Sequence, residues 1–343
     1  NNVQGATDMG CQPDLLTGYQ PVADAAVRAR FEAAWGRPVP AKPGRTLPRI
    51  YEAIRAGEIR GMFVFGEDVI QTDPDMNLTR ETIGKLEFLV VQELFLSETA
   101  KLAHVVLPAA SFLEKDGTFT NGERRVQRVR RALSPVEGTK PDWEILLALM
   151  KATGWEQPFT HPSQVMDEIA TLSPALAGVS YARLEGDGLQ WPVPNAGHPG
   201  TPILHAESFP RGRAQLACVE WSPSPSFGTP LTLVTGRVLE HYNAGTMTRR
   251  TANVELVPDD ALEISPADAE ARGIASGDRV RVRSAQGEAV LRADVTHRVA
   301  PGTVFTTFHF PDACVNILTS EVRDRLCDCP EYKVTAVEVE RAG

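Results

Sequence analysis

The sequence predicts an α/β protein in which a doubly wound, mostly parallel sheet domain is followed by a closed β-barrel domain. Three observations carry that expectation. Two short apolar runs, Met62-Phe63-Val64-Phe65 and Phe88-Leu89-Val90-Val91, each stop at polar residues, Gly66-Glu67-Asp68 and Gln92-Glu93, as strands buried in a parallel sheet do. A helical pattern lies between them, and two such β–α steps imply right-handed crossovers in a doubly wound sheet. The C-terminal stretch then changes to short alternating strands with one small helix, which suggests a barrel without free edges.

Taken in order, residues 1–25 are punctuated by Gly and Pro and read as loop, and Ala23 to Trp35 has the composition of a short helix ended near Gly36-Arg37-Pro38. Thr46 caps a second helix, Leu47 to Ala56, with Pro48 in its first turn, Ile50 and Ile54 on one face and Gly57 as its stop. The strand 62–66 follows, then a turn from Gln71 to Asp75 and a helix from about Leu78 to Leu86. After the second strand, Ser97 caps a helix through Leu102, and Val105 to Pro108 is a third strand closed by its proline. Glu114 to Arg125 mixes charges and glycines too densely for a regular element and reads as a loop. Asp142 caps the last helix of this half, with Trp143, Leu146, Leu147 and Met150 as its apolar face. The expected organisation is 1–153 as the α/β domain, 154–228 as a Pro- and Gly-rich connecting region on the surface, and 229–343 as the barrel. In the barrel, Leu231 to Thr235, Asp278 to Arg283, Ala289 to Val295, Val304 to Phe308 and Lys333 to Val339 are the expected strands. Ser265 to Gly273 is a helix with Pro at its first position and Gly after its end.

A chain of 343 residues with 42% apolar composition is ordinary for a globular protein of two or three domains. Its apolar runs fall short of the ~18 residues of a membrane span, so no membrane span is expected. Net charge is -9 without a basic block, which makes nucleic acid an unexpected partner. Asn1-Asn2-Val3-Gln4-Gly5 contains no initiator Met and no signal-peptide pattern, so the chain reads as a portion of something longer. Five cysteines, an odd number in a long chain, fit a reducing, cytoplasmic compartment. Cys327-Asp328-Cys329 has the wrong spacing for zinc or iron–sulfur ligands and reads as structural or incidental thiols.

Ligands of open α/β sheets sit beyond the carboxyl ends of the strands, where Gly66, Glu67 and Asp68 fall. Either carboxylate there can accept N–H bonds from a guanine edge or the O–H of a ribose hydroxyl; equally, the tripeptide suits a solvated turn with an N-cap. Arg237 also reads as a surface residue, His241 as a satisfied loop histidine and Tyr332-Lys333 as a snorkelling pair. Glu123-Arg124-Arg125 is open between an ion-pair loop and a phosphate anchor.

Read together, these motifs resemble the C-terminal part of a molybdopterin-dependent formate dehydrogenase catalytic subunit. The resemblance rests on Asn1-Asn2-Val3-Gln4-Gly5-Ala6-Thr7-Asp8-Met9-Gly10, on Gly66-Glu67-Asp68 with Gln71-Thr72-Asp73, and on Val91-Gln92-Glu93-Leu94-Phe95 with Thr99-Ala100. It continues through Val106-Leu107-Pro108, Gly117 to Arg125 and Gly188-Leu189-Gln190-Trp191-Pro192. In the barrel it includes Thr235-Gly236-Arg237 with His241-Tyr242-Asn243, Asn316-Ile317-Leu318-Thr319 and Pro330-Glu331-Tyr332-Lys333.

The resemblance implies a double-psi-like barrel and bis-molybdopterin guanine dinucleotide carrying Mo or W. Gly66, Glu67, Asp68 and Thr72 would serve the guanosine and phosphate end of one dinucleotide, with Gln92 and Glu93 on the adjacent strand end. Arg237, His241, Tyr242 and Asn243 would reach phosphates and pterin nitrogens; Asn316, Tyr332 and Lys333 would add hydrogen bonds and charge. At Phe308 some relatives carry a tyrosine. The family's metal ligand, its 4Fe-4S cluster cysteines and its catalytic residues fall in the upstream part of the same polypeptide, so no catalytic or metal-ligating residue is assigned within 1–343. Formate would be the substrate, electron-transfer subunits the partners, and NAD an acceptor on one of them. A non-catalytic molybdopterin-binding or subunit-docking module and a nitrate or other oxoanion reductase are the alternatives.

Overall fold

A computed structural model describes residues 2–218, 220–221, 231–324 and 326–343. Asn1, at the head of the opening decapeptide, and 222–230, at the expected connector–barrel boundary, lie outside the described residues. The chain folds as two compact units, each drawn from two segments: Asn1–Thr46 with Leu107–Glu220, and Leu47–Val106 with Trp221–Gly343. The expected regions 1–153, 154–228 and 229–343 follow composition along the chain, whereas packing interleaves it.

In the second unit, Gly61–Phe65 and Phe88–Glu93 pair in parallel, Val64 opposite Val91, and the sheet continues to Val105–Pro108. Helix Leu47–Arg55 packs Tyr51 and Ile54, and helix Met76–Ile83 packs Met76 and Ile83, against Val64, Leu89 and Val91. The other face is filled only in part, with Gln92 buried at its polar end. Phe63, Phe65 and Phe88 on the other face are exposed, which corrects the reading of these runs as buried throughout. The expected Gln71–Asp75 turn is also partly helix: Val69–Thr72 forms one turn, and the Asp75 carboxylate then caps the next helix by accepting from Leu78 N at 3.1 Å.

The barrel closes through six strands in the order Ala261–Ile264, Glu288–Val295, Arg279–Arg283, Thr335–Arg341, Leu231–Gly236, Thr303–Thr307 and back to the first. The pairs Ala261–Ile264 with Glu288–Val295 and Thr303–Thr307 with Leu231–Gly236 are parallel; their other neighbours are antiparallel. Alternation places Leu231, Leu233, Leu262, Ile264, Val280, Val282 and Leu291 inside. Gly236 is needed at the end of its strand, since a Cβ there would meet the Phe305 ring at 2.5 Å.

The first unit departs further from the sequence reading. The supposed loop 1–25 holds helix Val3–Asp8 and the paired strands Leu15–Leu16 and Gln20–Pro21. Glu114 to Arg125 is not a free loop: Gly117–Thr120 and Arg125–Val129 form a hairpin, joined by Leu189–Gln190. Pro141, not Asp142, occupies the cap of helix Asp142–Ala152, and Asp142 pairs with Lys115. On that helix Ile145 is buried while Leu146 and Leu149 are exposed. Residues 154–218 include helix Pro162–Leu172, and Met166, Leu176, Leu184 and Val193 build a core with Val126.

Three motif pieces converge here. Asn2 exchanges bonds with the Thr120 backbone at 2.7 and 2.9 Å, and the buried Asp8 carboxylate accepts from Trp191 Nε1 at 2.6 Å and the Tyr19 hydroxyl at 2.8 Å. Thus the opening segment, the Gly117 hairpin and the Gln-Trp-Pro stretch form one structural knot. Arg124 belongs to it, donating to the Trp191 and Thr201 carbonyls with its guanidinium over the Trp191 ring.

Candidate functional site

The loop from Arg237 to Asn243 leaves the strand Leu231–Gly236 at the barrel mouth, and two histidines hold it. His309 is fully buried beside the end of the neighbouring strand; its Nδ1 donates to the Asn243 carbonyl and its Nε2 accepts from Val238 N at 3.2 Å. One protonated and one bare nitrogen define neutral imidazole, and burial lowers its pKa. Beneath His309, Asp260 accepts from the Thr307 hydroxyl, from His309 N at 3.1 Å and from Phe310 N at 2.9 Å. Burial raises the Asp260 pKa, while these bonds pull it back.

His241 is buried and internally satisfied. Its Nε2 faces the Val257 carbonyl at 2.8 Å and must donate; its Nδ1, 3.0 Å from Thr248 Oγ1, accepts the hydroxyl proton, while Thr248 Oγ1 accepts from Tyr242 N at 3.2 Å. The ring therefore shapes the loop from inside. Tyr242 is exposed, and Asn243 turns the chain with φ of 47°.

Three basic side chains lie around this loop. Arg237 is exposed, its guanidinium 5.3 Å from the Phe308 ring centroid, and no carboxylate pairs with it among the described residues. Arg249 is partly buried and its Nε has no hydrogen-bond partner among the described residues; burial and neighbouring Arg250 lower its pKa. Arg250 lies over the Phe95 ring at 4.0 Å. Arg237, Glu240, Tyr242, Thr248 and Asn253 are among the residues lining a cleft of about 570 Å³, within the size range of small-ligand sites.

A second cluster joins the sheet side of the same unit to the barrel. Gln71 Nε2 donates to the carbonyls of Ala244 and Phe308 at 3.0 and 3.2 Å; Asn316 Nδ2 donates to those of Gln71 and Thr72 at 2.9 and 3.1 Å. The amide oxygens Gln71 Oε1 and Asn316 Oδ1 are buried without a donor among the described residues. Tyr332 donates to the Thr72 carbonyl at 3.2 Å, and its own carbonyl accepts from Thr235 Oγ1 at 2.8 Å. Burial raises the phenol pKa. Lys333 donates to the Thr235 carbonyl.

Glu67 is exposed and accepts from Thr72 Oγ1 at 3.1 Å, while Gly66 turns the chain at φ 64°. Asp68 points elsewhere. Its buried carboxylate accepts from Glu98 N at 3.1 Å, Thr99 N at 2.9 Å and Thr99 Oγ1 at 2.7 Å, bracing the segment that begins at Ser97. Gln92 is buried at the adjacent strand end; Glu93 is half-buried, accepts from Leu94 N at 2.7 Å, and has a pKa raised by burial. Thus Arg237, Tyr242 and the Glu67–Thr72 pair present polar groups outward, whereas Asp68, Gln92, His241 and Asn316 support them from within.

His309, Arg249 and Arg250 are absent from the sequence-derived set. The Arg-Arg pair in a Thr- and Gly-containing loop was the available signal for the arginines; His309 had none, because its contacts come from residues far away along the chain.

Residues 231–336 match the family described as Molydopterin dinucleotide binding domain, and residues 3–152 the family described as Molybdopterin oxidoreductase. An F420-dependent formate dehydrogenase subunit alpha of Methanocaldococcus jannaschii is 42% identical over 349 residues, covering 99% of this chain and 51% of that protein. The probable oxidoreductase YjgC of Bacillus subtilis is 42% identical over 347 residues, covering 99% of this chain and 35% of that one. The chain therefore spans between about a third and about half of these relatives. Acetylene hydratase from Pelobacter acetylenicus superposes with a TM-score of 0.66 over 93% of this chain and 50% of its own, at 14% identity, a likeness of fold.

Proposed function

The chain belongs to the molybdopterin oxidoreductase family, and from that premise we propose that it is the C-terminal, cofactor-gripping portion of a formate dehydrogenase catalytic subunit. The observation that carries the proposal is Arg237, an exposed guanidinium that no carboxylate pairs with among the described residues, on the lining of the cleft in the segment matching the dinucleotide-binding family, with Arg249 following Thr248 of the same lining.

The residues fit a molybdopterin guanine dinucleotide. A diphosphate needs fixed cations, and Arg237 and Arg249 supply guanidinium donors held against Phe308 and Phe310. A guanine or pterin edge needs acceptors, and Glu67 offers an exposed carboxylate beside Thr72. Buried Gln71 and Asn316 hold that turn against the barrel through their amide nitrogens. His241, His309 and Asp260 hold the loop in place, and Asp68 braces the segment at Glu98 and Thr99 behind the Glu67 turn. When bound, the Mo- or W-carrying group supplies the two-electron oxidation of formate to carbon dioxide. This chain's own task is binding, orientation and electrostatics. The 4Fe-4S cluster and metal ligand belong to the upstream part of the longer polypeptide, with electron-transfer subunits beyond. A relative's name specifies F420, which stands beside NAD as a candidate acceptor.

The test is to purify the gene's complete product and measure metal, released guanine and formate oxidation, with nitrate reduction as the competing assay. Metal, guanine and formate activity are expected together. Arg237→Ala should strip most of the guanine while leaving the folded-state circular dichroism unchanged; full guanine retention in that variant sinks the assigned role of Arg237.

A further inference from the structure

The parallel sheet of the second unit has one finished face and one that is largely uncovered. In parallel register Gly61 lies opposite Phe88, Phe63 opposite Val90 and Phe65 opposite Gln92, so Phe63, Phe65, Phe88, Val90 and Gln92 share a face, closed at its polar end where Gln92 is buried and open at the three rings. Phe63, Phe65 and Phe88 are 40%, 47% and 52% exposed, and Val105, on the third strand, is 39% exposed. The rings form an ordered patch: Phe63 and Phe65 stack with centroids 6.5 Å apart, and Phe88 lies 6.0 Å from the His104 ring. Arg60 and Glu87, paired at 3.4 Å, give it a polar border at the strand starts.

Parallel strands are stable where both faces are covered, because the crossovers that join them are helices that must pack somewhere. Here the helices Leu47–Arg55 and Met76–Ile83 both pack on the Val64, Leu89 and Val91 side. The exposed rings are too large and too contiguous to be scattered surface apolar residues. The relatives, meanwhile, have two to three times the aligned length, since alignments covering 99% of this chain cover 51% and 35% of them.

We propose that the Phe63, Phe65 and Phe88 face is the seat of a helix layer supplied by the remainder of the longer polypeptide, docking through an apolar helix face. This rests on the reading of the chain as part of a formate dehydrogenase subunit and adds the surface on which the two parts meet. The layer buries the aromatic patch and completes the sheet on its second side, so that the cofactor wall built from Gly66, Glu67 and Asp68 is held from both directions.

The experiment uses the complete product of the gene, with Phe88→Cys or Phe65→Cys introduced singly and thiol alkylation located by peptide mass mapping. Each new cysteine is expected to react on the order of tenfold or more slowly in the native protein than after denaturation. Two sites guard against one variant that misfolds. Alkylation at the denatured rate at both sites, in protein with native circular dichroism, overturns the proposal. So does a native polypeptide of only 37.3 kDa, the mass of this chain. Released guanine is measured on the same samples: guanine present with both sites reactive sinks the docking face alone, and protected sites without guanine sink the cofactor reading alone.

Discussion

The barrel and the parallel sheet share one compact unit and are built from equally short strands, yet they reach stability by opposite routes. In the barrel each strand has two neighbours and its inward side chains, Leu262, Ile264, Val280 and Leu291 among them, are buried to within about 1% of full enclosure. In the sheet, Gly61–Phe65 is an edge, and Phe63, Phe65 and Phe88 on its second face are uncovered. Closure makes a core out of the strands alone; an open sheet depends on layers added from elsewhere. The barrel is therefore the anchor, and the sheet's polar end is the part whose geometry needs support.

The strongest way to break this contrast is to puncture the barrel. Leu262→Ala removes a fully buried side chain and is expected to cost about 2–5 kcal/mol in urea denaturation. A loss below about 1 kcal/mol would mean that the barrel interior collapses to fill the space and is not the rigid anchor. Next comes Asp68→Ala, which strands three buried donors, from Glu98 N, Thr99 N and Thr99 Oγ1, and should cost about 1–3 kcal/mol. The loss should show as destabilisation of the sheet side. A variant of unchanged stability that nevertheless loses guanine would restore a direct ligand role to Asp68.

Asp73 sharpens the comparison through pH. Burial pushes its carboxyl up to about 6 from an ordinary 3.8, against the opposing hydrogen bond from Tyr51. The folded state thus prefers the protonated acid. Its contribution is full below the ordinary value and is lost as pH rises through about 6. Asp73→Asn cannot ionise, so its stability relative to the unmodified chain should improve by roughly 2–3 kcal/mol between about pH 4 and pH 8. A difference that stays flat across that range would show that Asp73 is not held protonated.

Much of the barrel was legible because its signal is local. Alternation in Arg279–Arg283 and Glu288–Val295, and the proline-started helix Pro266–Glu270, are written in consecutive residues. The Gly117–Val129 hairpin was hidden because its glycines and charges mimic a loop, and only pairing of Thr120 with Val126 reveals strands. Helix Pro162–Leu172 was masked by surrounding prolines, although His161 caps it and Pro162 suits its first turn. At the site, Gly66-Glu67-Asp68 marked the right strand end, but no local pattern distinguishes a carboxylate facing a ligand from one bracing Thr99. His309 could not be read at all, since its value lies in bonds to Val238 and Asn243, 71 and 66 residues away.

The smallest expected effect is the one that separates the two regions most clearly. Phe88→Ala removes a ring as large as any in the chain's interior, yet the ring is 52% exposed and its recorded ring partner is His104. An aromatic pair of this kind is worth about 0.5–1.5 kcal/mol, and part of that is already screened by solvent. The substitution should therefore cost less than about 1 kcal/mol in this chain, where a comparable deletion inside the barrel costs several times more. In the complete gene product the same change should move toward the barrel's range, because the ring would then be buried. Equal small losses in both proteins would leave the sheet's outer face bare in the native molecule, and the sheet would have to be stable with one side alone.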